Sequence, residues 1–195
     1  LDPDKDIIDR WHSAEVLLLG GSAGSFKFLF QLVHMLPPDL GKSVIIVMHR
    51  KRNFLSEVEK LFSRNARMLL KEVDEKEKIK LNTIYIAPAN YHTLIEKDRS
   101  FSLDASEALW YSKPSIDVTF ESAADVYQDK CLAVLLSGAN QDGALGLLRL
   151  RNAGSLTIAQ HPDDAEMPEM PTAAVNIDAV DCLMTTEDLF NLFRI

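Results

Sequence analysis

Short, uniformly apolar runs alternate with stretches of helical periodicity along most of this chain. Residues 16–19 (VLLL) form such a run and stop at Gly20-Gly21, as a buried parallel strand does. From 26 to 35 apolar positions recur at helical spacing and end before Pro37-Pro38. Residues 43–48 (SVIIVM) read as a second buried strand, 54–62 (FLSEVEKLF) return to the helical period, and 83–87 (TIYIA) read as another strand. Between 91 and 103 apolar and polar positions alternate around Lys97-Asp98-Arg99-Ser100, the pattern of an antiparallel hairpin. Lys113-Pro114-Ser115 opens a helix that runs to Tyr127, with Ser115 at its N-cap. Residues 131–136 (CLAVLL) are the most apolar strand and lead through SGANQDG (137–143) into a helix over 144–152, which Gly154 ends. A strand over 155–159, a Pro- and Met-rich loop over 161–171, a short strand over 180–184 and a helix from Thr186 complete the pattern.

Strands that alternate with helices of this length build a parallel sheet covered on both faces. Nothing of linker composition divides the chain, and no repeat is visible. The pattern therefore predicts one doubly wound α/β domain over residues 15–195. Its sheet is mainly parallel, with helices on both faces and a small antiparallel hairpin. Residues 1–14 read as an N-terminal extension or an expression remnant, and Leu1 in place of an initiator Met implies a fragment or a processed product.

Composition narrows the function classes. A chain of 195 residues with 47% hydrophobic and 26% charged residues has enough apolar content for one full core. A net charge of −8 argues against general nucleic-acid binding, because a phosphate backbone demands a basic surface. No apolar run is long enough to span a bilayer, and Leu-Asp-Pro-Asp-Lys-Asp lacks the basic-then-apolar order of a secretion signal, so a cytoplasmic location is expected. Cys131 and Cys182 sit in apolar, strand-like stretches and read as reduced core residues. His, Cys and Asp show no metal-ligand spacing, so neither metal nor other cofactor is expected.

In a doubly wound sheet, ligands bind beyond the carboxyl ends of the strands. Ser22 falls after the first predicted strand, His49 after the second and Asp142 after the strand at 131–136. Each has an ordinary alternative: a glycine-rich turn often cradles a phosphate, a lone histidine is often a loop residue, and an aspartate before Gly143 can cap a helix. The phosphate motifs are incomplete here, because Ser22 and Ser25 stand where GxGxxG needs glycine and no Walker lysine is present. Taken jointly, three triad residue types at three strand ends point to a serine hydrolase. Gly20-Gly21-Ser22-Ala23-Gly24 matches the G-x-S-x-G elbow, in which a strained turn exposes the serine. The expected geometry places the Ser22 hydroxyl within hydrogen-bond reach of one His49 nitrogen, with Asp142 orienting the other. The amide of Ala23 is a candidate oxyanion donor, as is an amide from the Ser137 to Asn140 loop, with Gly138 and Ala139 as its candidates. The order Ser…His…Asp differs from the Ser…Asp…His order of ordinary α/β-hydrolases.

At these residues the sequence resembles the catalytic domain of the chemotaxis protein-glutamate methylesterase family. The matching segments are Gly20-Gly21-Ser22-Ala23-Gly24, Ile46-Val47-Met48-His49, Tyr85-Ile86-Ala87-Pro88, Lys113-Pro114-Ser115-Ile116-Asp117, Leu136-Ser137-Gly138 with Asp142-Gly143, Thr157-Ile158-Ala159-Gln160 and Met170-Pro171. The resemblance implies a serine hydrolase that demethylates glutamate esters on the cytoplasmic domain of transmembrane chemoreceptors and can deamidate certain receptor glutamines. It puts nucleophile, base and acid on Ser22, His49 and Asp142, and implies the same doubly wound fold with an added hairpin. Ala23, Ser25, Ala139 and Gln141 depart from the family's usual residues, and Arg50-Lys51-Arg52-Asn53 replaces an apolar, proline-containing segment. The basic residues Arg50, Lys51 and Arg52 read either as a solvated loop or as a patch that attracts an acidic receptor segment. Two other functions fit the same residues: a serine esterase acting on another protein or a small ester, and a catalytically weak receptor-binding module. A regulatory receiver domain outside this chain is a further expected partner.

Overall fold

The computed structural model describes residues 3–49, 55–109 and 112–195. Its elements in chain order are α1 (Pro3–Ser13), β1 (Val16–Gly21), α2 (Phe26–Met35), β2 (Ser43–Met48), α3 (Leu55–Ser63), β3 (Leu69–Glu72), β4 (Thr83–Ile86), β5 (His92–Ile95), β6 (Phe101–Asp104), α4 (Ile116–Tyr127), β7 (Cys131–Leu135), α5 (Ala144–Asn152), β8 (Leu156–Gln160), α6 (Glu169–Asn176), β9 (Cys182–Met184) and α7 (Thr186–Arg194). Seven strands form one sheet in the order β3-β4-β2-β1-β7-β8-β9, and every pairing in it is parallel. The antiparallel pair β5-β6 stands apart as the predicted hairpin.

Alternation along the central strands divides the core in two. Leu17, Leu19, Val44, Ile46, Leu132 and Val134 face a layer that takes in Trp11, Leu29, Val58 and Leu189 from α1, α2, α3 and α7. Val16, Leu18, Ile45, Val47, Ala133 and Leu135 face the opposite layer, with Phe120, Leu147 and Ala174 from α4, α5 and α6. Both faces of β1, β2 and β7 are buried, which is why these strands carry no polar side chain except Ser43 and are legible as runs. The strand order reverses between β1 and β7, so the crevice at their carboxyl ends is the natural ligand site of the fold.

Three elements are absent from the sequence pattern. β3 is a four-residue edge strand with Leu69 exposed, too short and too polar to stand out. α6 lies partly within the stretch read as a Pro- and Met-rich loop. Pro171 sits in its first turn, where the missing N–H costs no intrahelical bond. α1 lies within residues 1–14, where the pattern marks no element. Its Trp11 is buried and packs on Phe193 at a ring separation of 5.2 Å.

Candidate active site

Ser22 leaves the end of β1 with its N–H donated to Ser137 O (2.9 Å), which ties it to the strand end of β7. The turn closes when Ser25 N (3.1 Å) and Ser25 Oγ (2.7 Å) both donate to Ser22 O. Gly24 takes φ +84°, the left-handed value that the third position of a type II turn requires. The positive φ of this turn is thus carried by Gly24 and not by Ser22. Gly20, two residues before the serine, has a packing role. A Cβ there would lie 2.5 Å from Ile116 Cγ2, so a bare backbone lets the N-terminus of α4 approach the strand ends.

That approach organises Asp142. The carboxylate is fully buried and accepts from His49 Nε2 (2.7 Å) and Ile116 N (2.7 Å) at Oδ2, and from Ser115 Oγ (2.8 Å) and Asp117 N (3.0 Å) at Oδ1. Burial pushes this carboxyl up, but the bonds from His49 and from the amides of Asp117 and Ile116 outweigh it and hold the group below its ordinary range. Asp142 does cap a helix, though α4 and not the one that follows it: α5 begins from Gly143. Ser115 holds the N-cap position of α4, yet its side chain makes no cap bond and is spent on Asp142.

His49 follows β2 and is anchored by its own N–H to Gly21 O (3.2 Å), beside the Ser22 turn. With Nε2 turned to Asp142, Nδ1 meets Ser112 Oγ at 3.2 Å. Among the described residues no hydrogen bond joins the Ser22 side chain to His49. The expected Ser22–His49 bond is thus absent, and Ser112, from the segment before α4, occupies the nitrogen it needs.

The candidate oxyanion donors separate in the same way. Ala23 is exposed, and its amide has no partner among the described residues. Gly138 is corrected as a donor, because its N–H is already given to Met167 O (3.0 Å). Ser137 N is likewise committed, to Gln160 Oε1 (2.9 Å). The Ala139 amide has no partner among the described residues, and Ala139 lines a groove of about 640 Å³ with Asn140, Gln141, Pro168, Thr172 and Asn176. Arg50, Lys51 and Arg52 lie outside the described residues. Among the described residues no three His, Cys, Asp or Glu side chains come together to hold a metal ion, and no helix is long and apolar enough to cross a membrane.

Sequence reasoning passed over Ser112 and Gln160 as parts of the site, and took in Ser137 only as one end of the loop that offers an oxyanion donor. Ser115 and Gln160 sit in quoted segments, but their contacts with Asp142 and the β7 loop depend on tertiary approach. Ser137 Oγ donates to Ala23 O (2.7 Å), so it holds the turn that carries the serine. Ser112 belongs to no motif.

The chain matches the profile of the CheB methylesterase family over residues 17–192. A Leptospira interrogans protein, provisionally named protein-glutamate methylesterase/protein-glutamine glutaminase, is 39% identical over 179 residues, covering 92% of this chain and 93% of the relative. A Methanococcoides burtonii protein-glutamate methylesterase/protein-glutamine glutaminase is 34% identical over 169 residues. There the match covers 85% of this chain but 48% of the relative, so the chain spans about half of that longer protein. The crystal structure of the Thermotoga maritima CheB methylesterase catalytic domain superposes with a TM-score of 0.86 at 23% identity, covering 93% of this chain and 98% of that one, a likeness of fold.

Proposed function

Because this chain belongs to the CheB methylesterase family, we propose that it hydrolyses glutamate methyl esters on chemoreceptor cytoplasmic domains, with Ser22 as nucleophile, His49 as base and Asp142 as orienter. The observation that carries this reading is the pair of buried Asp142 and His49, its carboxylate held by three further donors at a strand end adjoining the Ser22 turn. A carboxylate kept charged and immobile fixes the imidazole tautomer and stabilises the imidazolium that forms. Ser22 Oγ attacks the ester carbonyl carbon while the imidazole takes its proton. The Ala23 and Ala139 amides receive the oxyanion. The imidazolium then protonates departing methoxide, and a water activated by the same base hydrolyses the acyl-enzyme to regenerate Ser22 and release the glutamate carboxylate. Attack on a primary amide by the same route releases ammonia and accounts for the paired activities in the relatives' names.

The catalytic unit in this reading is residues 15–195, working in the cytoplasm, with receptor segments entering along the groove beside Ala139. Arg50, Lys51 and Arg52 draw the acidic receptor toward an otherwise acidic protein, and a receiver domain supplies regulation. The test is methanol release from a methylated chemoreceptor signalling domain. The expected result is stoichiometric methanol with new glutamate carboxylates. Hydrolysis of small esters without methanol from any methylated receptor would assign the site to another ester, and no hydrolysis of either would favour a binding module.

A further inference from the structure

The carboxylate of Asp142 can only accept hydrogen bonds, so the 2.7 Å contact with His49 Nε2 puts the imidazole proton on Nε2. The lone pair then lies on Nδ1, and Ser112 Oγ, 3.2 Å away, is the hydroxyl that donates to it. Only that lone pair can accept a proton from a nucleophile while Asp142 keeps the ring oriented. We propose that Ser112 is a positioning residue that holds the base at rest, its hydroxyl occupying the nitrogen that Ser22 must reach. This rests on the reading of His49 as the base for Ser22.

The neighbourhood supports a built contact and not a chance one. Ser112 is half-buried, and its backbone is fixed on both sides by Ser112 N to Leu109 O (2.7 Å) and Leu109 N to Ser112 O (3.2 Å). Three residues on, Ser115 N donates to Nδ1 of the buried His92 (3.0 Å), whose Nε2 donates to Glu107 O (2.8 Å). The segment carrying Ser112 is therefore clamped between the hairpin strand β5 and the start of α4, and α4 is capped by the same Asp142 that orients His49. Activation requires the Nδ1 lone pair to exchange one hydroxyl for another: Ser112 releases it and Ser22 takes it. Substrate seated against Ser22 supplies the geometry that favours the second arrangement.

The test compares the rate at which a small fluorophosphonate labels Ser22 in the full chain carrying Ser112→Ala, Ser112→Thr or Ser112→Val. Thr and Val have nearly the same shape, so this pair isolates the hydroxyl from any packing effect. Ala and Val are expected to label about fivefold faster than the parent, the factor that one ordinary neutral hydrogen bond is worth. Thr is expected to keep the parent rate. Slower labelling in Ala and Val would make Ser112 an aid to proton transfer and overturn the proposal. Equal rates in all four proteins, or equal acceleration by Thr and Val, would overturn it as well. His49→Ala separates the two levels of the argument. If it leaves the parent's labelling unchanged, the underlying reading of the base fails, and if it slows labelling while Ser112→Val does nothing, only the resting contact fails.

Discussion

His49→Ala is expected to lower turnover on a methylated receptor by about 10⁴-fold or more, with little change in receptor affinity. A serine hydroxyl is a weak nucleophile near neutral pH, and His49, tied by its own N–H to Gly21 O beside the Ser22 turn and oriented by Asp142, is placed to accept its proton. Ser22→Ala should fall to the same residual level, and the double variant no further, because groups that act as one unit are not additive. The check is steady-state methanol release by the single and double variants, with receptor binding followed separately. Losses that multiplied in the double variant would show that the two side chains act independently and would remove His49 from the role of base.

Asp142→Asn is expected to lose activity and stability together. Turnover should fall by about 10³- to 10⁴-fold, since an amide does not hold the imidazole in one tautomer. Unlike a triad acid with a purely orienting role, Asp142 also receives the first-turn amides of α4 and the Ser115 hydroxyl. An asparagine nitrogen cannot accept any of them, so one or two buried donors are orphaned at a cost of about 1–3 kcal/mol each. The pH dependence follows from the depressed carboxyl. Its stabilising contribution is complete above the ordinary aspartate value of about 4 and is lost as the pH falls through the lower folded-state value. Denaturant melts from neutral to strongly acid pH should therefore show an acid-side loss in the parent that Asp142→Asn lacks. Parallel curves for the two proteins would mean that the carboxylate does not stabilise the α4 terminus.

Much of this arrangement is legible in the chain because its strands advertise themselves. β2 is apolar after Ser43, and its two ends agree with the pattern to the residue because both of its faces are buried. Ser22, His49 and Asp142 stand out because strand ends can be read from where those runs stop. What the pattern does not carry are contacts made across the fold. No periodicity says that α4 turns its N-terminus onto Asp142, which needs Gly20 to lack a side chain against Ile116. Gly138 looks like an oxyanion donor until Met167 is seen to take its N–H. Ser112 shows no signal at all, because it is one serine outside every motif until folding sets it against His49. α6 is hidden for a local reason, its prolines marking a loop by composition although the first turn of a helix tolerates them.

The central claim, that Ser22 is the nucleophile activated by His49, is tested most directly by locating a fluorophosphonate adduct in the folded protein by peptide mass mapping. The account predicts one adduct, on Ser22, formed slowly in His49→Ala and not at all after denaturation. An adduct on Ser112, or labelling spread over many serines with no dependence on His49, would contradict it.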